Sequence, residues 1–132
     1  MNVVDSSGWL EYFADGHNAD FFSPAIENTA ELVVPSISIY EVFKRILQQR
    51  NEHEALQAAA IMARGRVVDL DMTLALNAAK ISAVLHLPMA DSIILAIART
   101  HDAILWTQNV DFENVDGVRY IQKENVGTEG SG

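Results

Sequence analysis

Four acidic residues stand where a carboxylate can do chemistry. Asp5 comes just where the apolar pair Val3-Val4 stops, and Glu41 lies about one turn into the segment that begins at Ser36. Asp91 precedes the apolar stretch Ile93 to Ala98, and Asp111 lies in the polar run Thr107-Gln108-Asn109-Val110-Asp111-Phe112 that follows Ala103 to Trp106. Carboxylates brought within a few ångströms of one another repel, and at least one is forced to keep a proton unless a cation joins them. Hard divalent cations such as Mg²⁺ or Mn²⁺ prefer such oxygens. They activate water near neutral pH and stabilise the charge that develops during in-line attack on phosphorus, so the chemistry this set suggests is metal-dependent phosphodiester hydrolysis.

Three of the four acids also have a plain structural reading. Asp5, followed by Ser6 and Ser7, is well suited to cap a helix, as is Asp91 beside Ser92. Glu41 is four residues before Arg45, the spacing of a surface ion pair worth only a few tenths of a kcal/mol. The functional reading therefore depends on whether four distant segments converge.

The elements that would bring them together are legible as alternating strands and helices. Short β-branched runs near 2–5, 32–34, 67–70, 103–106 and 118–121 read as strands. Between them, apolar residues recur at helical spacing: Trp9, Leu10, Tyr12 and Phe13 before Asp15-Gly16; Phe21, Phe22, Ala25 and Ile26 within about 18–29, with Pro24 a weak point; Ile39, Phe43, Ile46 and Leu47 within 36–50. An alanine-rich helix over about 54–64 ends at Gly65, and Leu74, Ala78, Ile81 and Leu85 mark another over 71–86, with Asp69 and Asp71 as surface or capping acids. The helix opened by Pro88-Met89-Ala90-Asp91 is apolar all round and must be packed on several sides. The expectation is an α/β three-layer sandwich with a central, mostly parallel five-stranded sheet. Right-handed crossovers would put the carboxyl ends of its strands on one edge, and with them Asp5, Glu41, Asp91 and Asp111.

Length and composition set the bounds. The chain has 132 residues, 49% of them apolar and 20% charged, which suits one ordinary globular domain, expected over 1–126. The remainder, 127–132, reads by its Gly-Thr-Glu-Gly-Ser-Gly composition as a flexible tail of the kind an expression vector leaves. The longest apolar runs are six residues against the roughly 20 of a spanning helix, so no membrane partner is expected. The N-terminus has no basic region followed by an apolar core, and cysteine is absent, which fits a cytoplasmic protein. The net charge of −9 weighs against nucleic-acid binding taken alone, since phosphate attraction rests on Lys and Arg. A cation in the acidic site would offset part of it, and Lys44, Arg45 and Arg50 are clustered in one segment.

Four ordered motifs carry a resemblance over about residues 1–122. The hydrophobic strand ending in VVDSS, the Glu of an SxxxYEV-like helix from Ser36 to Val42, the MADSIILAIA helix and the strand end WTQNVDFENV resemble the PIN domain, particularly its single-domain VapC-type ribonuclease toxins. The resemblance implies that Asp5, Glu41, Asp91 and Asp111 are catalytic and metal-binding, with Ser7, Thr107 and Asn109 in support. It implies a Mg²⁺- or Mn²⁺-dependent endoribonuclease acting on structured RNA such as tRNA or rRNA, commonly a homodimer, inhibited by a VapB-type antitoxin. The chain departs from the family where relatives often have T-x-D-x-D-F, because Asn109 stands at the first of those acids; a neutral ligand there would weaken a second metal site, with Asp111 expected to compensate. Ser7 stands where relatives often have Thr or Asn and keeps a hydroxyl.

Lys44 and Arg45 read first as ordinary helix-surface charges, with RNA-backbone contact as the lesser alternative. His17, His53, His86 and His101 lack metal-ligand spacing. The helices within 6–65, richer in aromatic surface, are the expected antitoxin groove. The competing class is a PIN-like module that binds RNA or a partner with little or no cleavage. An aspartate-nucleophile phosphatase would want a second Asp where Ser7 stands, and a phosphoacceptor domain an acidic pair beside the first strand.

Overall fold

The computed structural model describes residues 1–124, so the tail expected over 127–132 lies outside the described residues. The chain runs β1 (Asn2–Val4), α1 (Ser6–Phe13), α2 (Ala19–Glu27), β2 (Val33–Pro35), α3 (Ser36–Gln49), α4 (Glu52–Met62), β3 (Arg66–Val68), α5 (Met72–Leu85), α6 (Met89–Thr100), β4 (Ile104–Thr107) and β5 (Val118–Tyr120). Short 3-10 turns occupy Thr29–Glu31 and Val110–Phe112.

All strand pairs are parallel. β1 pairs with β4 (Val3 opposite Leu105) and β4 with β5 (Trp106 opposite Arg119), while β2 pairs with β3 (Val34 opposite Val67). The three-stranded and two-stranded pieces meet through one parallel bridge between Asn2 and Leu32, giving the spatial order β3-β2-β1-β4-β5. Strands of three or four residues leave little length for a ladder, so the middle junction is this single bridge. The third strand begins and ends earlier than the sequence suggests: Asp69 and Leu70 lie beyond it, both exposed.

Successive residues of a strand point to opposite faces, and this alternation builds both outer layers. Val3 and Val33 face a core completed by Leu74 and Ala78 of α5 and by Ile93 to Ala98 of α6. Val4 and Val34 face the other core, with Trp9 of α1, Phe22 and Ile26 of α2, Val42 of α3 and Ala58 and Met62 of α4. Every residue from Ser92 to Ala98 is buried, as the all-round apolarity of that segment requires. Burying Ile93, Ile94, Leu95 and Ile97 is worth about 1.5–3 kcal/mol each, against about 1 kcal/mol for a helix cap. Packing therefore fixes α6 and with it the position of Asp91.

Local signals set the other boundaries. Asn51 and Asp71 cap α4 and α5 by accepting from the Glu54 and Leu74 N–H groups at 2.9 and 2.8 Å, the capping role expected of Asp71. α2 continues through Pro24. At the end of α1, Asp15 takes the left-handed conformation (φ 51°) and the Gly16 N–H donates to Glu11 O at 3.1 Å. Gly16 has no positive φ; a Cβ there would run into the Glu11 carboxylate.

Candidate functional site

Asp5 leaves β1 and becomes the N-cap of α1, so the capping and the site readings of this residue hold together. Its Oδ1 accepts from the Gly8 N–H at 3.0 Å and the Ser7 hydroxyl at 2.8 Å. Its Oδ2 accepts from the Thr107 hydroxyl at 2.6 Å. With three of about four acceptor sites used, Oδ2 keeps one lone pair free of protein donors. The residue is only 2% exposed. Burial pushes its carboxyl above the ordinary value and the Glu41 charge adds to this, while the bonds from Thr107, Ser7 and Gly8 pull the other way without cancelling it.

Glu41, half-buried on α3, accepts the Ser6 hydroxyl at 2.6 Å. Its ion pair with Arg45 is not formed: among the described residues the acid–base contacts within 4 Å are those of the Met1 terminus with Glu31 and of the His17 ring with Glu124. The first turn of α1 thus holds two acids at once, through Ser7 to Asp5 and through Ser6 to Glu41. Ser6 was not singled out from the sequence, although the doubled serine after Asp5 was the available signal.

Asp91 lies in the first turn of α6 and makes no capping bond; the neighbouring Ser92 hydroxyl turns back to Met89 O at 2.7 Å. Instead its Oδ2 accepts from Asn109 Nδ2 at 3.2 Å. The Asp91 carboxyl is pushed up to about 6, first by burial, then by the charges of Asp5, Asp111 and Glu41, with the Asn109 bond opposing. All three other acids thus act on Asp91.

Asp111 is exposed in the 3-10 turn, which the fully buried Phe112 anchors. Asn109 organises this turn: its N–H donates to Thr107 Oγ1 at 2.9 Å and its Oδ1 accepts from the Asp111 N–H at 3.0 Å. Both ends of its amide are engaged, so here it acts as a positioner of Asp91 and Asp111.

The donor set is all oxygen and suits a hard divalent cation. Coordination geometry and electrostatics give different pictures: among the described residues no three acidic or histidine side chains stand close enough to hold one ion directly, yet Asp91 responds to three acids. Coulombic coupling reaches further than a coordination bond, so the two observations are compatible: the acids act on Asp91 without standing at coordination distance of one ion. An ion bound at such spacing would have to keep several waters, as Mg²⁺ does. Lys44 lies 5.8 Å from the Tyr40 ring centre, and Arg45 lines a separate cavity. That cavity, of about 650 Å³, opens between α1, α3 and α4, is lined by Leu10, Phe13, Ile46 and Ala58, and is bordered by Ser7 and Gln108 beside the rim. His101 Nδ1 is 2.9 Å from Ile97 O, a contact within its own helix end.

A parallel sheet covered by helices on both faces, with acids from three further segments acting on Asp91, defines an α/β domain with an acidic site. The chain belongs to the PIN domain family, whose profile matches residues 3–118. Among solved structures, it is similar to a toxin–antitoxin complex from Klebsiella pneumoniae (21% identity, TM-score 0.76, 90% of this chain and 96% of that one). It is also similar to VapC20 of Mycobacterium tuberculosis, described as a sarcin-ricin loop cleaving toxin (17%, 0.72, 88% and 95%). A third likeness is to VapBC-1 from nontypeable Haemophilus influenzae (17%, 0.69, 92% and 96%). No curated protein matches the chain significantly. Among the described residues no single helix is long and apolar enough to cross a membrane.

Proposed function

We propose that this chain is the toxin of a VapBC-type pair, a Mg²⁺- or Mn²⁺-dependent endoribonuclease of the cytoplasm that cuts structured RNA such as tRNA or rRNA. What supports this reading best is Asp91, half-buried and bonded to Asn109, whose carboxyl is raised first by burial and then by the charges of Asp5, Asp111 and Glu41. Asp5, Glu41, Asp91 and Asp111 would hold the cation. When bound, it supplies charge neutralisation and water activation for attack on the phosphodiester.

The protein's own part is positioning. Thr107, Ser7 and the Gly8 N–H lock Asp5 in one orientation, so its remaining lone pair is presented without reorganisation. Ser6 does the same for Glu41, and Asn109 for Asp91. Lys44 and Arg45 offer phosphate contacts on a molecule whose net charge of −9 otherwise repels RNA. The groove between α1, α3 and α4 is the proposed seat of the antitoxin, its mixed lining combining Leu10, Phe13 and Ile46 with Arg45, Arg50 and Glu54. Adding the antitoxin should protect amides within residues 6–65; protection confined elsewhere contradicts this seat. Exposed Leu76 and Val84 on α5 suit a homodimer contact.

Pure protein incubated with structured RNA and Mn²⁺, beside an Asp5→Asn variant, tests the activity. Cleavage by the native chain alone supports it, and equal cleavage by both marks a contaminant. That among the described residues no three acids stand close enough to grip one ion directly favours a second reading, a PIN-like binding module. Retained RNA binding without cleavage by either protein would select it.

A further inference from the structure

Next to the acidic rim lies a polar network that the site has not absorbed. Gln108 and Asn18 are 5% and 6% exposed, and Glu11 is half-buried. Asn18 Nδ2 donates to Gln108 Oε1 at 3.0 Å and to Gln122 O at 3.1 Å. Gln108 Nε2 donates to Ser7 O at 3.4 Å and to Glu11 Oε1 at 3.3 Å, and Glu11 Oε2 accepts the Asn18 N–H at 2.9 Å.

The identity of each member follows from its partners. Gln122 O and Ser7 O are backbone carbonyls and accept only, so they fix which way the two amides face. Position 108 must both donate and accept, which an amide does and a carboxylate does not. Position 11 must accept on both oxygens, which a carboxylate does and an amide does not. Gly16 leaves the space the Glu11 carboxylate fills, since a Cβ there would collide with it.

The network is also placed to matter for the chemistry. Gln108 sits between Thr107, which holds Asp5, and Asn109, which holds Asp91, and its amide is tied to Ser7, which also holds Asp5. We infer that Glu11, Asn18 and Gln108 are positioning residues that fix the 107–111 segment to α1, so that the donors on Asp5 and Asp91 are set in register. This rests on the nuclease reading for its kinetic consequence and on geometry alone for its structural one.

The test exchanges the two side-chain types. Gln108→Glu sets two carboxylates against each other, Glu11→Gln removes one of two acceptors, and the double exchange restores one carboxylate facing one amide in nearly the same volume while leaving Ser7 O without its donor. Each single variant should lower amide exchange protection at Asn109 and Asp111 about 10-fold or more while α5 and α6 are unchanged. It should reduce kcat on RNA in Mn²⁺ about 10- to 100-fold with KM nearly constant, the scale of a misplaced catalytic group. The double exchange should remake the 11–108 bond but not the one to Ser7 O, so it should end closer to the native chain in both quantities than either single variant without reaching it. Gly16→Ala, which leaves every network residue in place and needs no forbidden backbone angle, should reproduce the local loss of protection and covers the case of a single variant that fails to fold.

Unchanged protection at Asn109 and Asp111 in all variants overturns the inference. So does a loss spread evenly over α5 and α6, which would mark general destabilisation, or a double exchange no better than the singles. If the native chain leaves RNA intact, the exchange measurements still decide the positioning role, so the two ideas fail separately.

Discussion

Asn109 gives its side-chain amide to Asp91 at 3.2 Å while its Oδ1 accepts the Asp111 N–H at 3.0 Å, so one neutral residue ties two acids of the rim together. An acid at this position would add a fourth negative charge beside Asp91 and remove the donor that lowers its pKa. Asn109→Asp should therefore raise the Asp91 pKa further above about 6 and, on the nuclease reading, move the acid limb of the pH–rate profile upward by about one unit at metal concentrations that do not saturate. A limb that stays in place or moves down would show that Asn109 does not govern Asp91.

The raised pKa values of Asp91 and Asp5 also set how stability depends on pH. Below about pH 4 both the folded and unfolded chains hold these protons, and there is no penalty. Between about pH 4 and 6 the unfolded chain ionises first, so Asp91 lowers stability as pH rises through its folded value of about 6; above this the loss is complete. Asp5, raised by burial, acts in the same direction. Thermal melting without divalent metal should show this component, and millimolar Mn²⁺ should restore stability more at pH 7.5 than at pH 5 because the ionised acids bind it. An equal effect of Mn²⁺ at both values would contradict a carboxylate site.

Sequence patterning made the layers and the four acids legible for identifiable reasons. Val3-Val4 and Leu32-Val33-Val34 are read locally as buried strands, and the unbroken apolarity of 93–98 demands burial whatever surrounds it. Contacts spanning the chain left no such trace. Gln108 lies 90 positions from Asn18 and 97 from Glu11, and nothing in the periodicity of either segment marks an amide whose partners arrive from so far away. Glu41 shows the opposite error: its spacing to Arg45 suggests an ion pair, yet the Ser6 hydroxyl reaches it instead, because a weak solvated pair loses readily to a partly buried donor.

Removing the charge of Asp5 should separate function from folding. In Asp5→Asn the Oδ1 that accepts from Gly8 and Ser7 is retained, and the new amide faces a Thr107 hydroxyl able to rotate and accept. Because burial disfavours the native carboxylate, the variant should melt at or above the native temperature without metal while nuclease activity falls at least 100-fold. Thr107→Val makes the converse case, stripping a donor from a buried acid at a cost of about 1.5–3 kcal/mol. Comparable loss of stability in both variants would mean that Asp5 is mainly a structural cap.

Gly8 tests the seating of α1 on the sheet. A Cβ at this position would lie 2.6 Å from Val4 Cγ1 and 2.6 Å from Phe22 Cε1, inside any allowed contact. Alanine would ordinarily strengthen a helix by up to about 1 kcal/mol over glycine, but forcing an extra carbon into a filled core costs about 1–3 kcal/mol. The clash should win, so Gly8→Ala should lower the urea midpoint despite its better helix propensity. The displacement also falls on Val4, the residue before Asp5, and on the turn whose Gly8 N–H holds that acid. Mn²⁺ affinity should therefore weaken together with stability, whereas a midpoint at or above the native value would mean that α1 can shift away from β1 without cost.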